Sequence, residues 1–273
     1  MIPGLAGIVV NGVLLGTAAV SLFPLLWMAS VSLMSPGEAS TYPPPLLPAH
    51  ATLENYRELF ARGDIGRYVI NSVFLTTAVT AASLILNVAA GYAFAKLTFT
   101  GRDRIFRLLL AALVIPSQVA MVPLFLLLKH LGLVNSYGGV IVPAMAGIFG
   151  IFLVRQYALS IPSALLEAAR IDGASELRIF RSVVVPVLKP IIVTLAVFTL
   201  LGTWNDFMWP LIVLSDKDLY TLPVAIASLS REHVQDHELM MAGSVLTTLP
   251  VLLVFLLLQR YYIEGLLVGS VKG

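Results

Sequence analysis

EAARIDGASELRIFRSVVVPVLKP, Glu167 to Pro190, is a polar, helix-forming island inside an otherwise oily chain, carrying three acids, four bases and a central glycine, Gly173. Of the 273 residues, 58% are hydrophobic and only 12% charged, and mean hydropathy is +0.92. A soluble domain holds at most about half apolar residues and interrupts them often enough to make a wet surface. This chain therefore reads as an all-α integral membrane protein, and the island as the part that works outside the lipid.

A helical crossing needs roughly 20 mostly apolar residues. Six stretches qualify, at about 8–33, 68–97, 106–128, 137–157, 191–214 and 239–261, leaving the island in a loop at 158–190. The first has no basic n-region and too long an apolar run for a cleaved leader, so it reads as a retained span. Basic residues stay on the cytoplasmic side. Eleven of the 17 Lys and Arg residues fall on one side, around 96–107 and 155–190 and in the tail; the other six, Arg57, Arg62, Arg67, Lys129, Lys217 and Arg231, fall opposite. Both termini and the island are expected in the cytoplasm of a multi-pass protein surrounded by membrane lipids. Among the external segments, 35–67 holds Pro43, Pro44, Pro45 and Pro48 followed by an amphipathic LENYRELF. It reads either as a surface for an extracytoplasmic partner or as a stiff linker ending in an interfacial helix.

A net charge of +2, with basic residues scattered between spans, argues against nucleic acid as a partner. With no cysteine there is no disulfide, thiolate metal site or cysteine nucleophile. Gly-Lys does not occur, so there is no GxxxxGK[ST] phosphate loop, and HExxH and GxSxG are missing too. The chain is expected to be no enzyme, with no catalytic residues, no cofactor and no metal. His233 and His237 lie four apart near Asp236 and Glu238, an arrangement that reads as a solvated loop rather than a metal site.

An ion-coupled carrier keeps charges inside its spans because they are costly there. Asp206 is the one fair candidate, following Trp204 and Asn205 in WNDFMWP toward the external half of the fifth span. The cluster either lines a polar pathway or forms a hydrogen-bonded helix end in an aromatic belt.

Just ahead of the island, Pro162 and Ser163 open a helix that Leu165, Leu166, Ala168 and Ala169 continue into it. Gly173 suits the left-handed end of that helix, and Ser175 caps the next. The second helix places Leu177, Phe180, Val183 and Val184 along one side, with Arg178 and Arg181 clear of it; Pro186 and Pro190 return the chain to the membrane. Two short helices on a glycine elbow make either a plug for a soluble partner or an amphipathic loop on the headgroups.

Glu167, Ala168 and Ala169, then Asp172, Gly173 and Ala174, then Phe180, Pro186 and Pro190 resemble the cytoplasmic EAA signature of ABC importer permeases. Val183, Val184, Val185 and Pro186 stand where the family has I-x-L-P, a conservative departure. FPLLWM from Phe23, Asn55 with Tyr56, Asn71 with Ser72, WND at Trp204, YTLP at Tyr220 and the ending GLLVGSVKG resemble the second permease of maltose-type carbohydrate importers. The resemblance implies a type I importer permease fold, one domain over 1–273, in the cell membrane of a prokaryote. It implies a homologous second permease, a dimer of ABC ATPases that binds ATP and Mg, and an extracytoplasmic solute-binding protein. Glu167, Ala168, Ala169, Asp172, Gly173, Ala174, Phe180 and Pro186 would then couple to an ATPase, and Gly269, Val271 and Lys272 in the tail would make a second contact. The implied cargo is a sugar or a sugar-like solute such as glycerol 3-phosphate. The runner-up from the residues alone is an ion-coupled secondary transporter or a channel.

Overall fold

The protein is described by a computed structural model covering residues 5–62, 64–232 and 236–268. Every regular element in this range is helical. The helices are α1 (Leu5–Val31), α2 (Glu54–Arg62), α3 (Ile65–Lys96), α4 (Arg102–Ala112), α5 (Ser117–His130), α6 (Tyr137–Ala144) and α7 (Ile148–Leu159). They continue with α8 (Ser163–Ile171), α9 (Glu176–Val187), α10 (Lys189–Trp204), α11 (Met208–Val213), α12 (Leu222–Glu232) and α13 (His237–Val268).

Among the described residues, four segments are long and apolar enough to cross a membrane: Gly7–Val31, Ile65–Lys96, Tyr137–Leu159 and His237–Leu257. Two bent pairs raise the number to six, α4 with α5 at 108° and α9 with α10 at 77°. The expected continuous span at 106–128 is therefore broken. Pro116 lacks an N–H and disfavours helical backbone at the residue before it, and α5 begins only at Ser117. The expected span at 191–214 also stops early: α10 ends at Trp204, and α11 resumes at Met208.

The chain forms two compact units. In the unit formed by residues up to Arg67 and by Leu222–Pro250, the segment after α1 folds back on the end of that helix. The Asn55 amide donates to the carbonyls of Ser32 and Met34 at 3.0 and 2.8 Å, and the hydroxyls of Tyr56 and Ser32 are 2.8 Å apart. Asn55 and Leu59 form the buried side of α2, which explains the amphipathic pattern of LENYRELF. Glu38 accepts the backbone N–H groups of Ala49 and Ser35, which hold its carboxyl below the usual range, and Glu238 accepts that of Ala39 at 2.7 Å.

The unit formed by Tyr68–Thr221 and the chain after Pro250 carries both candidate sites. Its core joins α3, α7 and α10 to the island: Val88, Tyr92, Val154, Ala158, Ile161, Leu166, Ile179, Val184, Leu188, Ile191 and Leu195 form one buried cluster. Close approach of α3 to α7 depends on glycine. A Cβ on Gly91 would lie 2.6 Å from the Cβ of Val154, and one on Gly150 would lie 2.5 Å from Nδ2 of Asn87. Lipid tails are as apolar as leucine, so helices in a membrane associate through such tight packing rather than through the hydrophobic effect.

Candidate functional site

The island folds as two helices joined by an elbow. α8 ends in a Schellman motif: Gly173 has φ 78°, its N–H donates to the Arg170 carbonyl, and the Ala174 N–H donates to the Ala169 carbonyl, both at 3.0 Å. Ser175 caps α9, its Oγ accepting the N–H of Arg178 at 3.4 Å. Ser163 does not cap α8. Pro162 occupies the cap position, which has no side-chain cap bond, and Ser163 is the first helical residue.

Across the elbow, Arg170 Nε donates to Glu176 Oε1 at 2.6 Å and Nη2 to Oε2 at 3.3 Å. The guanidinium holds the Glu176 carboxyl below the usual carboxylate range, and the carboxylate in turn raises the Arg170 pKa. This bidentate pair spans the elbow between α8 and α9 at the solvent surface.

The island presents two contrasting sides. Leu166, Ile179, Val184 and Leu188 are buried in the span core, whereas Glu167, Ala168, Asp172, Gly173 and Pro186 are exposed; Ala169, Ala174 and Phe180 lie between. Leu177 departs from expectation, being 57% exposed, while Ile179 takes the inner position. The cause is a π-helical turn at Phe180–Val184, which shifts the helical phase and places Val184 and Leu188 inward with Ile179. Ile171, at the tip beside Asp172, is 86% exposed, and sequence reasoning did not single it out. Its signal was available: an isoleucine in the last turn of a helix, two residues before the Gly173 elbow, lies where the chain turns away from its own packing face.

WNDFMWP lies at the far end of α3 from the island. Lys96, at one end of α3, donates to the carbonyls of Leu159 and Ile161 beside α8. Asn71, at the other, donates to those of Asp218 and Tyr220 and accepts from the Tyr137 hydroxyl at 2.7 Å. At 1.5 Å per residue the two ends are roughly 37 Å apart. Trp204 is buried as the last residue of α10. Asn205 is exposed, with its amide donating to the Leu201 carbonyl at 2.8 Å, and Asp206 Oδ1 accepts the Trp209 N–H at 3.3 Å. Trp209, buried, donates through Nε1 to the Gly139 carbonyl at 3.0 Å. The three residues are thus brought together at a helix break, where the amide and carboxylate complete helix ends. Asn135 holds the neighbouring loop by accepting the N–H groups of Ser215 and Asp216 at 2.9 and 2.8 Å.

Gly269, Val271 and Lys272 lie outside the described residues, as does His233. Among the described residues no group of three or more His, Cys, Asp or Glu is placed to hold a metal ion.

Residues 87–267, which contain the whole island and WNDFMWP, match the family of binding-protein-dependent transport system inner membrane components. The chain belongs to that family. Among relatives of this permease, an arabinooligosaccharides transport system permease protein of Halalkalibacterium halodurans is 38% identical, covering 94% of this chain and 93% of the relative. A lactose transport system permease protein of Rhizobium radiobacter is 33% identical over 98% and 97% of the two chains. In fold, the permease is similar to a chain of a bacterial ABC transporter involved in the import of the acidic polysaccharide alginate. There the TM-score is 0.85 and the identity 24%, over 96% of this chain and 99% of the other. The permease is a multi-pass inner-membrane subunit of an ABC importer with the type I permease fold.

Proposed function

We propose that this permease carries a sugar, of the oligosaccharide class, into the cytoplasm by alternating access, driven by a separate ATPase that grips the island as a coupling loop. One observation carries the reading: the loop is anchored by Leu166, Ile179, Val184 and Leu188 in the same cluster as span residues Val88, Val154 and Leu195. A pull on the exposed Glu167, Ala168, Asp172 and Gly173 is then transmitted to α3, α7 and α10. The relatives named for arabinooligosaccharides and lactose support the cargo class.

In this reading the permease pairs with a homologous second permease, a dimer of ABC ATPases supplies ATP and Mg chemistry, and an extracytoplasmic binding protein delivers the solute. The spans act together as one permease domain. The loop and both termini face the cytoplasm, as the distribution of Lys and Arg supports. Trp204, Asn205 and Asp206 stand at the extracytoplasmic part of the pathway, with Asn205 offering an exposed amide.

Reconstitution into proteoliposomes tests this. The full complex should take up oligosaccharide only with ATP inside and binding protein outside. Ion-gradient-driven flux through this chain alone would overturn it.

A further inference from the structure

The turn between α3 and α4 forms a recess of about 650 Å3 lined by Thr98, Thr100, Arg102, Asp103, Arg104 and Arg107, together with Phe99 and Gly101. Its shape is fixed from both sides. Phe94 packs against Phe99 and Phe106 at ring separations of 5.7 and 5.5 Å, and the Arg155 guanidinium lies 4.1 Å over the Phe106 ring while donating to the Phe94 carbonyl. Arg102 is committed to this frame through the Leu97 carbonyl and the Asp103 carboxylate.

The other two arginines are not neutralised. Arg107 Nε donates to the Asp103 carbonyl, and neither Arg104 nor Arg107 has an ion pair among the described residues. Two uncompensated guanidiniums beside two threonine hydroxyls suit a phosphate, which guanidinium binds through paired charge-assisted hydrogen bonds. Beside them stand exposed apolar side chains, Phe99, Ile105 and Leu108. A free phosphate has no use for that apolar surface, whereas a phospholipid places its acyl chains there. We propose that this recess is a binding site for the headgroup of an anionic phospholipid, at the end of α3 that also carries the island. Surface-anchored basic residues attract anionic headgroups in this way.

Native mass spectrometry of the delipidated importer complex, titrated with phosphatidylglycerol, phosphatidylcholine or inorganic phosphate, tests the site. Wild type should prefer phosphatidylglycerol, and R104Q/R107Q should weaken its binding about thirtyfold, given the usual contribution of each basic residue. R104K/R107K, which keeps both charges but not the paired guanidinium bonds, should bind between wild type and R104Q/R107Q. Equal phosphatidylglycerol binding by wild type and R104Q/R107Q overturns the proposal, as does displacement of the lipid by millimolar phosphate. Should R104Q/R107Q fail to assemble, lack of preference for phosphatidylglycerol over phosphatidylcholine in wild type overturns it as well.

Discussion

Arg170 and Glu176 are tied by two hydrogen bonds across the Gly173 elbow, so the two helices of the island are linked by a pair that is itself exposed to solvent. Because Arg170 lowers the Glu176 pKa, the pair contributes fully above the ordinary glutamate range and is lost only as pH falls through the depressed value. The elbow should keep its geometry through neutral and mildly acidic pH. With the Glu176 carboxyl 13C-labelled, its titration midpoint should lie below that of an ordinary glutamate and return toward it in Arg170→Gln; an unchanged midpoint would remove the clamp from the account.

Gly173 is required for its backbone and not for its size, since a Cβ there would meet nothing within 4 Å while φ is +78°. Gly173→Ala should therefore insert and assemble, with a cost of about 1–2 kcal/mol for the left-handed backbone. Gly173→Pro, whose ring fixes φ near −65°, should abolish uptake. Uptake assays of both variants at matched membrane levels check the contrast, and equal activities would contradict it.

Ile171 makes the tip of the proposed coupling loop partly apolar. At 86% exposure its replacement leaves the permease core untouched. Ile171→Asp should insert normally yet retain much less ATPase on affinity purification, because a charge would be desolvated on docking. Full ATPase recovery would show that the tip stays in water.

The crossing of α3 and α7 predicts a rescue. Gly150→Ala places a methyl against the Asn87 amide and should destabilise the permease by about 1–3 kcal/mol, read as a lowered Tm in detergent. Asn87→Ala in the same chain should recover part of that loss, because the two groups compete for one space. Strictly additive effects would mean that the helices can separate freely.

The features written locally in the sequence were readable there. Gly173 and Ser175 announce an elbow and a cap because a left-handed residue and a capping hydroxyl depend on the few residues around them. The apolar runs at α1, α3 and α13 were equally clear, since length and hydropathy suffice for a span. The inward position of Ile179 in place of Leu177 was not legible, because a π turn adds a residue to the helical phase without changing the pattern of hydrophobic residues. Nor was the 108° bend before Ser117: Pro116 marks a possible kink, but its size is set by what α4 and α5 pack against. For WNDFMWP, both the pathway and the helix-end readings fitted the residue types. Only the bonds of Asn205 to Leu201 and Asp206 to Trp209 reveal the helix ends, and they belong to geometry rather than to composition.

Glu167, exposed on α8, is the residue proposed to pass the force of ATP hydrolysis to the spans. Binding-protein-stimulated ATP hydrolysis by the reconstituted complex carrying Glu167→Lys measures this most directly, with membrane insertion followed in parallel. The account predicts normal insertion and a loss of stimulated hydrolysis and uptake of about tenfold or more, as for a charged contact reversed at an interface. Wild-type stimulation and uptake in that variant would contradict it.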